Sequence, residues 1–112
     1  RAPAACAASR LRVGEALVDL EARTALRDGL LTHLGARECH VIAALAAAAE
    51  RPVGRDALTR AAWHVAHEPG SRRLDMLIVG LRRKLEARPA EPRHLVTVPG
   101  AGYALRGVSV GA

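Results

Sequence analysis

The sequence of 112 residues predicts an α+β domain, in which an N-terminal antiparallel β-sheet is followed by three helices and a C-terminal β-hairpin. Three observations predict this class. Short apolar segments alternate with turn signals as far as His33, which is typical of strands. Apolar residues recur at three- and four-residue spacing over Ser71–Glu86, which indicates an amphipathic helix. Near the C-terminus, Pro99–Gly102 separates two short apolar segments, which indicates a hairpin.

The N-terminal sheet is expected between Leu11 and His33. It follows an Ala- and Pro-rich start at residues 1–9, which we interpret as a tail or the remnant of a linker. Because the chain begins with Arg rather than Met, we expect it to be part of a longer protein. Asp28-Gly29 between two apolar segments is a strong hairpin signal, since a type I′ turn needs positive φ at both central residues. We expect three or four antiparallel strands.

Three helices are expected in the middle of the chain. The first covers Ala36–Glu50 and ends before Pro52, because the residue preceding a proline is disfavoured in helical geometry. The second runs from Asp56 to about Val65. The third runs from Arg72 to about Ala87, with Ser71 as its N-cap.

The C-terminal hairpin is expected to consist of strands at His94–Val98 and Tyr103–Arg106. Its Gly-rich tip lies between them, and Val53 is expected to add one short bridge. The order of elements is therefore sheet, helix, helix, helix and hairpin. Two helices followed by a recognition-type helix and a hairpin form the winged helix-turn-helix plan.

Length and composition fit one domain, which we place at residues 10–107 with residues 108–112 as a C-terminal tail. Half of the residues are hydrophobic but only 2% are aromatic, so we expect an aliphatic core with Trp63 as its one large aromatic anchor. Cys6 and Cys39 form neither a disulfide framework nor a zinc signature. Cys39 is expected to be buried, and both cysteines fit a reducing cytoplasm.

The charge of the chain indicates a polyanionic partner, most simply nucleic acid. The formal net charge is +6 and the sequence pI is near 10.9. Ser71–Glu86 holds five cations and two anions, which is half of that net charge. Such a helix suits a groove lined by phosphates, and it also suits an ordinary amphipathic surface. A membrane is less favoured, and the apolar run Val41–Ala49 is shorter than the roughly 20 residues that a spanning helix needs.

These elements resemble the DNA-binding effector domain of the OmpR/PhoB family of bacterial response regulators. The resemblance covers about residues 11–106. Its motifs are LGARECHVIAAL at 34–45, VGRDALTRAAW at 53–63, LDMLIVGLRRKL at 74–85 and VTVPGAGY at 96–103.

The resemblance implies a cytoplasmic, sequence-specific, double-stranded DNA-binding domain of a bacterial transcriptional regulator, the effector domain of a two-component system. The third helix would enter the major groove, and the wing would touch the minor groove. The loop before the third helix would face RNA polymerase through His64, His67 and Glu68, as in some members. An upstream receiver or other sensor domain, which this sequence does not contain, would control pairing as a homodimer on tandem DNA sites.

The expected DNA contacts lie on the third helix, on the wing and at the start of the second helix. Arg72, Arg73 and Arg82 match family positions that meet DNA, where Arg can pair with phosphate or guanine. Thr97 and Tyr103 match wing positions that can bond the DNA backbone, and cross-strand packing is the alternative for Tyr103. The expected DNA-binding residues are Arg55, Arg72, Arg73, Asp75, Met76, Val79, Gly80, Arg82, Arg83, Thr97 and Tyr103.

Several positions depart from the family pattern. Val79 and Gly80 stand where relatives often carry Arg, and Pro99 replaces the usual wing Arg. The exposed face of the third helix would then include Met76 and suit either thymine methyl groups or a protein surface. The alternative function is therefore a protein-interaction module on the same fold with weakened DNA contacts. Asp75 is expected to be either a local partner at the helix start or an acceptor at a base edge.

Enzyme and metal chemistry are not expected. No Ser/His/Asp or paired-carboxylate arrangement is visible, so we predict no catalytic site and no cofactor. His64, His67 and Glu68 lack a second pair of ligands at metal-binding spacing, so we interpret them as parts of a solvated loop.

Overall fold

The computed structural model describes residues 9–110, with the side chain of Val110 excepted. Most of the predicted N-terminal tail, including Cys6, lies outside these residues. The α+β winged helix-turn-helix class is confirmed. The elements in chain order are β1 (Arg10–Val13), β2 (Ala16–Asp19), β3 (Thr24–Arg27), β4 (Leu30–His33), α1 (Ala36–Ala47), α2 (Arg55–Trp63), α3 (Arg73–Leu85), β5 (Leu95–Val98), β6 (Gly102–Leu105) and β7 (Val108–Val110).

The N-terminal sheet is an antiparallel meander of four strands, with β7 added at its other edge in the order β4-β3-β2-β1-β7. Asp28 and Gly29 both have positive φ, at 52° and 76°, as the predicted turn requires. Leu11 and Val13 are buried and Arg12 is exposed, so β1 alternates between the core and solvent. One face of the sheet therefore supports the helices.

Strand β7 is a correction to the predicted C-terminal tail at residues 108–112. Val108 pairs with Val13 in an antiparallel register along the free edge of β1. The backbone N–H of Gly14 also donates to the carbonyl of Gly107 over 3.2 Å. A strand of three residues is too short for an alternating pattern, so its pairing depends on an edge that only the fold supplies.

Helix α1 ends three residues before the predicted end at Glu50. Ala49 and Glu50 have φ of 52° and 71°, so the chain has left helical geometry before Pro52 is reached. At the other end of α1, the N–H of Gly35 donates to Glu38 Oε1 over 2.7 Å. This bond satisfies one donor at the start of the helix.

Three other predicted helix boundaries were also wrong. Helix α2 ends at Trp63, because the next residue, His64, is left-handed at φ 61°, so the helix does not reach Val65. The N-cap of α3 is Arg72 rather than Ser71, and no side chain caps it. Helix α3 stops at Leu85 because the next residue is extended.

The core lies between the five-stranded sheet and the three helices. The predicted stripe of α3 is confirmed, since four of its residues are almost fully buried: Leu74, Ile78, Leu81 and Leu85. The predicted aromatic anchor was wrong. Trp63 is only partly buried at the edge of the core, and Tyr103, at 4% exposed, is the aromatic side chain inside it.

The predicted hairpin is confirmed as the two-stranded sheet of β5 and β6, which we call the wing. The predicted bridge of Val53 is also present, and it pairs with Tyr103. Gly102 has φ +129°, and a Cβ there would lie 2.1 Å from the carbonyl oxygen of Val53. Only glycine permits this close approach, which holds the wing against the segment before α2.

A buried carboxylate joins the wing to the end of α3. Glu86 is 2% exposed. Its two oxygens accept the backbone N–H groups of Arg93, His94 and Leu95 over 3.0, 2.9 and 2.7 Å. Three donors compensate for the burial of this group, and they set where β5 begins relative to α3.

Candidate nucleic-acid interface

The outward side of α3 carries cations around an apolar centre. Residues 72, 76, 79 and 83 follow one another at four- and three-residue spacing, which places them on one helix face. Arg72 and Arg83 are exposed, Met76 is 59% exposed and Val79 is half-buried. We call these four residues the α3 face. The structure thus brings together four of the predicted DNA-binding residues.

Gly80 lies beside the α3 face, on the side toward α1. A Cβ on Gly80 would lie 3.5 Å from Glu38 Oε2, which is an ordinary contact. The neighbouring Oε1 of Glu38 accepts from Lys84 Nζ over 2.7 Å. The glycine is therefore not required by crowding within the domain.

On the other side of the α3 face, Asp75 binds two groups from distant parts of the chain. Its Oδ1 accepts the hydroxyl of Tyr103 over 2.6 Å and also the Nη1 of Arg55. The guanidinium carbon of Arg55 lies 5.1 Å from the centroid of the Tyr103 ring. Asp75 is thus a helix-start residue whose partners come from α2 and the wing. We call Arg55, Asp75 and Tyr103 the triad.

The triad shifts the pKa values of its members. Partial burial raises the pKa of Asp75, but the hydrogen bonds from Tyr103 and Arg55 and the charge of Arg55 lower it more, so the pKa lies below its ordinary value. Burial raises the pKa of Tyr103, and the hydrogen bond to Asp75 raises it further. The ionised carboxylate and the neutral phenol are therefore the stable partners.

Arg82 connects α3 to the wing rather than extending freely into solvent. Its Nε donates to the carbonyl of Leu95 over 2.9 Å, and its Nη2 donates to Thr97 Oγ1 over 3.0 Å. The guanidinium carbon lies 5.8 Å from the Tyr103 centroid. Two predicted DNA contacts, Arg82 and Thr97, are therefore held together at the base of the wing. Arg55 also lines a shallow groove with residues 97–102 of the wing.

Arg37 was not predicted as a site residue. It lies in the first turn of α1, and its guanidinium carbon is 5.7 Å from the Trp63 ring centroid. The guanidinium carbon of Arg73 lies 5.3 Å from the same centroid. Neither its residue type nor its spacing singled it out among the arginines of the chain, so the sequence carried no signal for this arrangement.

The loop between α2 and α3 is held by Asp56. Its Oδ1 accepts the backbone N–H of His67 over 2.8 Å, and its Oδ2 pairs with Arg60. Glu68 is exposed, and the ring of His64 lies edge-on to that of His40, with centroids 6.3 Å apart. Within residues 9–110, no three His, Cys, Asp or Glu side chains are grouped so that they could hold a metal ion.

Comparisons with known proteins agree with this architecture. A family model described as "Transcriptional regulatory protein, C terminal" matches residues 29–105. The chain belongs to this family. The resemblance to OmpR/PhoB effector domains stated from the sequence is thereby confirmed.

Two mycobacterial regulators illustrate the relatives. The chain is 36% identical over 86 residues to the transcriptional regulatory protein KdpE of Mycobacterium tuberculosis, covering 77% of this chain and 38% of KdpE. It is 30% identical over 96 residues to the DNA-binding response regulator MtrA of Mycolicibacterium smegmatis, covering 86% of this chain and 42% of MtrA. The chain thus spans less than half the length of these relatives.

Solved structures show the same fold. The DNA-binding domain of Klebsiella pneumoniae RstA, in complex with the RstA box, is similar with a TM-score of 0.72 and 27% identity, covering 86% of this chain and 95% of that one. The DNA-binding domain of Escherichia coli CpxR is similar with a TM-score of 0.71 and 27% identity, covering 86% of this chain and 94% of that one.

Across the part of our chain that is described, no helix has both the length and the apolar character needed to cross a membrane.

Proposed function

We propose that this chain binds double-stranded DNA in a sequence-specific manner and regulates transcription. The observation that carries the proposal is the α3 face, a cation-rimmed helix surface that is exposed beside the wing. The family match and the DNA complex of the RstA domain support it. A helix about 10–12 Å across with its side chains fits the major groove, which is about 12 Å wide.

The α3 face divides the tasks of binding. Arg72 and Arg83 lie at its two ends, where they reach the phosphates that border the groove. Met76 and Val79 lie between them and face the base edges. Because neither side chain donates a hydrogen bond, they favour thymine methyl groups over guanine, which Arg reads in many other proteins.

The triad has a supporting role in this proposal. Asp75 is engaged by Arg55 and Tyr103, so we assign it to orienting these groups rather than to reading a base. Arg55 remains 39% exposed along its side chain and faces the wing groove, where a phosphate can approach. Arg82 holds Thr97 in place, so the wing and α3 approach the duplex as one rigid unit.

The relatives support a wider setting for the protein. We infer that the chain is the effector part of a cytoplasmic two-component response regulator, with a receiver or other sensor domain upstream. Pairing of two copies on tandem sites would then place two α3 faces along one side of the duplex. The loop with His64, His67 and Glu68 is the candidate contact for RNA polymerase.

Selection from a random duplex library, followed by fluorescence anisotropy with the selected site, tests the proposal. We expect the double variant Arg72→Glu and Arg73→Glu to lose binding by at least about tenfold, since each reversal places an anion near phosphate. Arg12→Glu on the solvent face of β1 is the matched control and should bind nearly as well as the wild type. A protein-interaction module would yield no selected sequence and would show no difference between these variants.

A further inference from the structure

Three helices converge on Trp63 and place two guanidinium groups around it. Arg37 comes from the first turn of α1, Trp63 is the last residue of α2, and Arg73 is the first residue of α3. The guanidinium carbons lie 5.7 and 5.3 Å from the ring centroid, within the range of cation–π attraction. The indole thus holds both cations at one place on the surface.

These two cations are not neutralised by the domain. Neither Arg37 nor Arg73 has a carboxylate oxygen within 4.0 Å among residues 9–110. The nearby carboxylate of Glu38 is already bonded to Lys84 and to the N–H of Gly35. Two like charges on one indole repel each other, and an anion between them would relieve that repulsion.

The site is open and continuous with the α3 face. Arg37, Trp63 and Arg73 line a shallow groove of about 800 Å³, and Met76 of the α3 face lines the same groove. An anion in this groove would therefore lie beside the bases that α3 reads. In duplex DNA, the anionic group that borders the base edges of the groove is a backbone phosphate.

We propose that Arg37 and Arg73, held by Trp63, bind one backbone phosphate at the edge of the major groove. The proposal rests on the proposed DNA-binding function and adds a contact from α1 to it. Val79, Gly80 and Pro99 are uncharged where the family resemblance leads us to expect Arg, and α1 would supply one of these three cations instead.

The test compares Arg37→Gln with the wild type in salt titrations, on the selected duplex and on a random duplex. A phosphate contact carries no sequence information, so we expect both affinities to fall by about 3- to 10-fold with their ratio unchanged. The slope of log K against log salt should become shallower, by less than about 0.9, because Arg73 still contacts the same phosphate. Arg37→Lys should keep the slope, because it keeps the charge.

Two controls make the outcome decisive. Arg12→Gln, on the opposite side of the sheet, should leave affinity and slope unchanged, and thermal unfolding of Arg37→Gln should match the wild type. If Arg37→Gln kept the wild-type affinity and slope while Arg72→Gln bound the duplex more weakly, this proposal would be overturned and the proposed function would remain intact. If the wild type bound no duplex, the proposed function itself would fail. If Arg37→Gln lost binding to an acidic peptide but kept wild-type binding to duplex DNA, the groove would be assigned to a protein partner and the proposal would also be overturned.

Fluorescence gives an independent reading, because Trp63 is the single tryptophan of the chain. A phosphate that draws Arg37 and Arg73 together beside the indole should change its emission on duplex binding. Arg37→Gln should show a smaller change at saturating DNA. An emission that does not respond to DNA in the wild type would contradict the placement of the phosphate.

Discussion

Replacing Tyr103 with Phe removes one hydroxyl and tests whether the triad holds the wing to α3. The hydroxyl donates to Asp75 Oδ1 over 2.6 Å from a ring that is 4% exposed. A hydrogen bond to a charged acceptor contributes about 1.5–3 kcal/mol. The Asp75 side chain is 37% exposed, so water replaces part of that bond. We expect the free energy of unfolding to fall by about 1–2 kcal/mol.

Urea unfolding followed by far-UV circular dichroism and by Trp63 fluorescence measures this loss. The m-value should not change, because the surface exposed on unfolding is nearly the same. For a domain of this size, each kcal/mol lowers Tm by about 4–8 °C. In an Asp75→Ala background, Tyr103→Phe should cost less by at least about 0.5 kcal/mol. A cost within about 0.3 kcal/mol of zero, or full additivity with Asp75→Ala, would refute the role of the triad.

Four further predictions concern stability and specificity. Gly80→Ala should raise the free energy of unfolding by about 0.5–1 kcal/mol in urea titrations, because a Cβ fits there and alanine favours a helix; a loss would show hidden crowding. Glu86→Gln should lower it by about 1–3 kcal/mol, since the new amide group turns one acceptor into a donor facing backbone N–H groups; wild-type stability would contradict the buried link. Because the folded pKa of Asp75 is depressed, its stabilising effect is present above its unfolded pKa of about 3.9 and is lost as pH falls through the folded pKa. Urea titrations from acidic to neutral pH should therefore show that the free energy of unfolding falls less steeply toward low pH in Asp75→Asn than in the wild type. An equally steep fall in both proteins would oppose this assignment. Replacing thymine by uracil in the selected duplex should weaken the wild type but not Met76→Ala in anisotropy titrations, and equal weakening would place the methyl contact elsewhere.

Periodicity and turn chemistry predicted the elements that are determined by residues close together in the sequence. The stripe of α3 follows from residue spacing, and the Asp28-Gly29 turn follows from the φ angles that the two residues allow. Helix ends were less predictable. Helix α1 stops because Ala49 and Glu50 adopt positive φ, which neither residue type favours and which only the surrounding fold imposes. Strand β7 likewise depends on a partner almost one hundred residues away.

The interactions within the site were hidden for a related reason. Asp75 and Tyr103 are 28 residues apart, and no local pattern records that their side chains meet. No local pattern distinguishes Arg37 from the other arginines, so only the convergence of three helices reveals its place beside Trp63. In the sequence, Glu86 resembles any charged residue at a helix end, although in the fold it is buried and accepts three backbone hydrogen bonds. Residue types predicted which side chains could bind DNA, whereas packing decides which of them remain free to do so.

The salt dependence of duplex binding shows whether the cations around α3 contact phosphates. The proposed contacts reach four phosphates: one each at Arg55, Arg72 and Arg83, and one shared by Arg37 and Arg73. At about 0.9 for each phosphate, log K for the selected duplex should fall with log salt at a slope of about −3 to −4. A slope near zero, or no binding to any duplex at low salt, would contradict these contacts.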